Sequence, residues 1–363
     1  MKLDTRAISI SLVILATIGV FYVLVVGKAF LVPLAVALMI WYVINAMSRT
    51  YTKIIPWVKE PNWLTMLLSI ISIGIFIAFA IDMVQNNVAN VQNSIPRYRD
   101  NFANLSTKVN ALIPAQIFDR LPKVSDLVQG IEIAPLLTGF TDIVVAMIGN
   151  ITLVLIYVAF MLAEQGTFRK KIKEIFPDQA KRGSVMSILV HVQEDIQTYL
   201  WIKSLTSTIT GLISYFVLKM VGVDFAVFWA FSIFLLNFIP TIGSIIATLF
   251  PAMLALIQFD TFFPFFVVLI GVGAIQVVVG NVLEPKLMGN SLNVSPFVVM
   301  MSLTLWGSIW GIAGMFLSVP ITVMMLIVFA HFERTRYIAV LLSGDGSLKF
   351  AKHTKAQLEK IAH

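Results

Sequence analysis

The sequence predicts an all-α integral membrane protein, and three observations lead to that class. Hydrophobic residues make up 58% of the 363 and charged ones only 12%, with a mean hydropathy of +0.90, whereas water-soluble domains carry about 25% charged residues. Several apolar runs reach the roughly 20 residues that a helix needs to cross a hydrocarbon core about 30 Å thick. Proline and glycine also fall inside the last of these runs, so the breaks belong to the membrane part itself.

The first three spans cover about 7 to 27, 29 to 47 and 63 to 82. The first follows a basic start, as a signal peptide would, but its apolar run is about 21 residues long without a small-residue cleavage site, so it reads as retained. The connector after the second span carries Arg49, Lys53 and Lys59, with Trp57 and Trp63 as interfacial aromatics, a cytosolic pattern. Residues 83 to 135 turn polar, yet Val88, Val91, Ile95, Phe102, Leu105, Val109 and Leu112 keep a helical spacing. They predict a small helical extracytoplasmic segment, cut into short pieces at Pro96, Pro114, Pro122 and Pro135.

A fourth span, 136 to 164, returns to the cytosol at "FRKKIKEIFPDQAKR". Residues 165 to 200 predict a cytosolic helical pair broken at Pro177, with Asp178 able to cap its second member. The fifth span covers 201 to 221, and another lies at 261 to 283. On either side of that last span, residues 225 to 258 and 296 to 331 each divide into two apolar arms, around "NFIPTIG" and "WGIAG". Arms of about 15 residues reach about 23 Å, short for a crossing and suited to a helical hairpin that turns back.

Charge tests the arrangement. Six spans and two returning hairpins, with the N-terminus inside, put 17 of the 26 Lys and Arg on the cytosolic side, including the basic tail 332 to 363. Making either hairpin a single span would put that tail outside, against the positive-inside rule. Two short crossing helices in place of a hairpin would leave the same parity.

The residues with chemical potential lie at the breaks. Pro240 lacks an N–H and pushes Ile239 toward extended geometry, so the first arm should end near Asn237 or Phe238. Gly243 permits close packing or a left-handed turn. A break in hydrocarbon survives only where it is buried in protein or lines a cavity; a proline kink between packed spans is the plainer alternative. In "GNVLEPKLMGNSLNVSP", Asn281 and Glu284 share a helical face if the helix reaches that far, and Pro285 should prevent its regular continuation. Glu284 reads either as functional or as a solvated carboxylate paired with Lys286, and Gln276 is the deeper polar residue. Tyr199, Lys203, Thr206 and Thr210 recur at helical spacing into the fifth span, where Lys203 could snorkel or meet a solute. In the last hairpin, Gly307, Gly311 and Gly314 favour close packing and Pro320 breaks the second arm.

Several function classes are excluded. There is no cysteine, and the four histidines have no metal-ligand spacing. No phosphate-binding loop, nucleophile elbow or nucleic-acid module is visible, so neither an enzyme nor an ATP-driven pump is expected; the net charge of +7 sits beside membrane segments.

At "YLWIKSLTSTITGL", "NFIPTIGSIIATLFP" and "GNVLEPKLMGNSLNVSPFVVMMSLTLWGSIWGIAGMFLSVPIT" the chain resembles the autoinducer-2 exporter family of bacterial permeases. The resemblance implies a transporter in the bacterial cytoplasmic membrane that moves a small polar solute of the autoinducer-2 class. It also implies a homo-oligomer, a pentamer, with proton or sodium coupling in some members. The matching positions are Tyr199, Lys203, Asn237, Pro240, Gly243, Asn281, Glu284, Pro285, Gly289, Gly311, Gly314 and Pro320. The expected mechanism is alternating access, with the solute held between the hairpin turns by Asn237, Gln276, Asn281 and exposed helix ends. Glu284 and Lys203 would then serve as gating or coupling charges. The alternatives are a cation/proton antiporter titrating at Glu284 and a membrane scaffold that transports nothing.

Overall fold

A computed structural model describes residues 5–55, 63–112, 151–289 and 293–348. Among them every regular element is helical, apart from one bridge between Val294 and Ser343. The elements are α1 (Thr5–Val26), α2 (Lys28–Ile54), α3 (Trp63–Leu112), α4 (Ile151–Ile175), α5 (Gln179–Val221), α6 (Ala226–Leu236) and α7 (Ile242–Gln258). Then come α8 (Phe263–Val278), a π-helical turn (Val279–Leu283), α9 (Glu284–Met288), α10 (Pro296–His331) and α11 (Arg336–Leu342). Among the described residues six helical stretches are long and apolar enough to cross a membrane. The protein is therefore a multi-pass all-α membrane protein.

The chain groups into two units, the first drawn from 1–43, 150–197 and 293–363, the second from 44–149 and 198–292. In the first unit α10 is two helices joined at Gly311, whose φ of 64° and ψ of −141° are open to glycine and costly for other residues. The chain reverses there: Ser302 Oγ donates to the Ser318 carbonyl at 3.0 Å and lies 2.5 Å from the Thr322 hydroxyl, pairing the two arms antiparallel. Trp310, beside the turn, donates its indole N–H to the Leu24 carbonyl and so holds α1. Pro320 lies inside the second arm without ending it. The helix therefore continues where a break was expected, and the hydroxyls of Ser318 and Thr322, one on either side of Pro320, donate to the Met315 and Ser318 carbonyls.

In the second unit α6 and α7 form the other hairpin. Trp229 and Phe250, almost symmetric about Pro240, bring their rings to 6.3 Å. Phe76 and Phe79 of α3 pack against Phe231 of α6, and Phe76 also meets Phe234. The far ends of the hairpin arms are fixed by polar contacts. Gln258, at the end of α7, donates from its amide to the Gly222 carbonyl at 2.8 Å and accepts from the Asp224 N–H at 2.7 Å. Asp224 Oδ2 accepts from the fully buried Tyr98 hydroxyl at 3.0 Å and from Arg97 at 3.1 Å, while Asn101 donates to the Gln258 carbonyl at 2.7 Å. Burial first, and then the Asp224 charge, push the Tyr98 phenol well above its ordinary range, so it remains a donor.

These contacts account for a departure from expectation. Pro96 lies inside α3 rather than ending a short piece, although an interior proline costs one helical hydrogen bond. The turn that carries it also carries Arg97, Tyr98 and Asn101, and their bonds to Asp224 and Gln258 hold it from outside. The expected breaks at Pro114, Pro122 and Pro135 and the start of the fourth span lie outside the described residues. The break at Pro177 is present, but α5 then runs unbroken through the predicted cytosolic helix and the fifth span.

Both hairpins turn by the same device. A Cβ on Gly243 would lie 1.9 Å from the Leu236 carbonyl oxygen, and one on Gly314 would lie 1.9 Å from the Trp306 carbonyl oxygen. Each glycine begins the returning arm against the last turn of the outgoing one. Gly243→Ala and Gly314→Ala should each cost about 1–3 kcal/mol or more through overpacking. Thermal unfolding in detergent checks this, with Gly74→Ala, which would meet nothing within 4 Å, expected to match the parent or exceed it.

Candidate functional site

The site is built on one stripe of α5. Tyr199, Lys203, Ser207 and Gly211 recur every fourth residue and therefore share a face. All four are buried. Along this stripe α5 meets first α9, then the turn of the α6–α7 hairpin, then α6 itself.

Lys203 and Glu284 form the first contact. Lys203 Nζ donates to both carboxylate oxygens, at 2.7 and 2.9 Å, with the two side chains 7% and 16% exposed. A buried charge left alone is costly, and the two opposite charges here are held as a pair. Glu284 is thus held by Lys203, 81 residues away in sequence, while Lys286 lies on the exposed side.

The π-helical turn explains how Glu284 reaches α5. From Gln276 to Glu284 an unbroken α-helix would rotate by eight steps of about 100°, leaving the two about 80° apart. A π-turn adds in effect one residue to the helix and removes about 100°, which returns Glu284 to within about 20° of Gln276. The turn also accommodates Pro285, which lies in the first turn of α9 and needs no N–H partner there. The helix continues past Pro285 to Met288, by way of the π-turn and not as one regular α-helix. Gly289, with φ 51°, then closes it.

Gln276 is 8% exposed, and among the described residues its amide Nε2 has no hydrogen-bond partner. An unmade buried hydrogen bond costs about 1–3 kcal/mol. The amide is thus a free donor between Val272 and Val279, both buried.

Asn237 caps α6 as expected, and its side chain is already engaged. Its amide Nδ2 donates to Ser207 Oγ at 3.0 Å, both residues being buried. The turn that follows satisfies much of its own backbone: Phe238 donates to Leu235, Ile239 to Leu236 and Gly243 to Ile239. The positive φ falls on Thr241, at 57°, and Gly243 supplies close packing. Farther along the stripe, a Cβ on Gly211 would lie 2.9 Å from the Ala230 carbonyl oxygen.

The structure thus joins Lys203 to Glu284 and Asn237 to Ser207, and aligns Gln276 with Glu284. It leaves Asn281 exposed. Thr206 and Thr210 are fully buried but bond carbonyls of their own helix, Lys203 at 3.2 Å and Thr206 at 2.8 Å. Gly307, Gly311, Gly314 and Pro320 belong to the first unit, where they shape the α10 hairpin. Sequence reasoning missed Ser207 and Gly211. Their signal was the four-residue repeat with Tyr199 and Lys203, carried by small residues.

Comparison with known proteins follows the same residues. The family model described as AI-2E family transporter matches residues 10–334. A Haemophilus influenzae protein provisionally named a transport protein is 32% identical over 355 residues, covering 95% of this chain and 97% of that protein. The AI-2 transport protein TqsA of Escherichia coli K12 is 29% identical over 340 residues, covering 91% of this chain and 95% of its own length.

Removing one partner of the ion pair should harm more than removing both. Lys203→Met and Glu284→Leu should each destabilise by about 3–5 kcal/mol, and the double variant by much less, because a single change strands a buried charge. Unfolding in detergent, run as a double-mutant cycle, measures the difference.

Proposed function

The chain belongs to the AI-2E transporter family, and from that premise we propose that it moves a small polar solute of the autoinducer-2 class across the bacterial cytoplasmic membrane. The observation that carries this reading is the unpartnered Gln276 amide, buried and aligned with the Lys203–Glu284 pair. A neutral polyhydroxylated solute offers hydroxyl oxygens to that donor without bringing a charge into the membrane. Its likeness to TqsA, whose name states AI-2 transport, supports the substrate class.

In this reading the protein works by alternating access. The two hairpins are re-entrant, the N- and C-termini are cytosolic, and the chain acts as a homo-oligomer. Lys203 and Glu284 gate the path: while paired they close the face of α5, and parting them requires a solute or proton to compensate each charge. Pro240 and Gly243 fix the turn, and Asn237 ties it to Ser207, so these three position the path more than they touch the cargo.

One observation favours a second reading. An ion pair with one carboxylate at membrane depth is also a proton exchanger in outline, which would make the protein a cation/proton antiporter titrating at Glu284. Reconstitution into liposomes separates the two. Labelled autoinducer-2 should equilibrate through the protein without a sodium gradient, and Gln276→Leu should slow it about tenfold, the equivalent of about 1.4 kcal/mol, with the fold intact. Sodium-driven proton movement abolished by Glu284→Gln, with no autoinducer-2 flux, would replace the first reading by the second.

A further inference from the structure

A cavity of about 430 Å³ lies in the second unit where α5 gives way to α6, lined among others by Tyr215, Lys219, Gly222, Asp224, Phe225 and Val227. Its volume falls in the range of small-molecule sites, about 300–1,000 Å³. Residues 204 to 218 carry no charge, and at about 1.5 Å each they rise about 22 Å. Lys219 therefore stands most of a hydrocarbon thickness beyond Lys203. The apolar stretch of α5 ends at Val221, so the cavity opens where a membrane helix leaves the hydrocarbon. Apolar side chains stand exposed beside the lining residues, Phe216 by 54% and Met220 by 79%.

The walls of this cavity are fixed from behind. The Gln258 side chain bonds both the Gly222 carbonyl and the Asp224 N–H, and Asp224 Oδ2 accepts from Tyr98 and Arg97. Phe225 has φ 58° and ψ 33°, a left-handed conformation that costs energy in any residue with a Cβ. The turn is thus held by its neighbours, as strained segments at binding sites are. Two charged groups line the cavity in different states. Lys219 is exposed and has no ion-pair partner among the described residues. Asp224 takes both its side-chain bonds on Oδ2, and among the described residues Oδ1 takes none. Lys219 and Arg97 set against Asp224 leave one positive charge in excess.

We propose that this cavity binds the headgroup of a membrane phospholipid, with its phosphodiester on Lys219 and a donor of the head, an ammonium or a hydroxyl, on Asp224. The excess positive charge selects the phosphate. The carboxylate oxygen left over selects a head that can donate a hydrogen bond, which a choline head cannot. Phe216 and Met220 supply apolar surface for the acyl chains. A neutral polyhydroxylated solute needs neither charge, so the site stands or falls apart from the transport reading.

Native mass spectrometry of the full chain in detergent, titrated with lipids that share their acyl chains and carry phosphoethanolamine, phosphoglycerol or phosphocholine heads, tests this. The first two should bind, and the phosphocholine lipid should bind about tenfold more weakly for want of a charge-assisted hydrogen bond. Lys219→Gln should weaken binding about tenfold and Lys219→Arg should preserve it. Lys173→Gln, at an exposed lysine of α4, should leave it unchanged. Glycerophosphoethanolamine, the same head without acyl chains, should compete poorly, and competition on equal terms would overturn a lipid as the ligand. Equal binding of the three lipids, or the same result in Lys219→Gln as in Lys173→Gln, would overturn the site itself, whether or not the protein carries autoinducer-2.

Discussion

Backbone hydrogen bonding is the constraint on which the rest of this structure depends. Inside hydrocarbon an unsatisfied N–H or carbonyl costs several kcal/mol, so every interruption of a helix must be closed by something close at hand. The turn after α6 closes itself through Phe238, Ile239 and Gly243. The turn of α10 is made by one glycine in a conformation other residues avoid. The π-turn keeps its hydrogen bonds by lengthening them one residue along. Each of the three breaks is thus closed locally.

Glycine then decides how near the pieces can come. Gly243, Gly314 and Gly211 each stand where a methyl group would collide with a carbonyl oxygen. Close approach is what lets a short arm bury enough surface to stay folded beside its partner. Polar side chains come second and act as pins. Asn237 on Ser207, Ser302 across to Ser318 and Gln258 across to Gly222 each join segments that packing has already brought together.

Much of this was legible in the sequence, and the parts that were not share a cause. The all-α membrane class, the break at Pro177, the end of the first arm at Asn237 and the reversal at "WGIAG" follow from local rules about proline, glycine and hydropathy. Pro96, Pro285 and Pro320 were misjudged because local rules see the lost N–H and not what surrounds it. Pro96 is held by contacts with residues more than 120 positions away. Pro285 falls in the first turn of a new helix, where no N–H is missed. Lys203, and not Lys286, as the partner of Glu284 likewise rests on a helical phase set by the π-turn. Ser207 was hidden for a different reason, since a small hydroxyl residue beside several threonines carries no signal until its neighbour is known.

The π-turn has a further meaning for how such a protein can change over generations. Because it holds one surplus residue, losing or gaining a residue there would turn everything from Glu284 to Gly289 by about a quarter of a circle while leaving α8 where it is. A single codon could then present a different side chain to α5 without repacking the membrane helices. The turn is a place where descendants of one scaffold can exchange the group facing α5 and keep the helices around it.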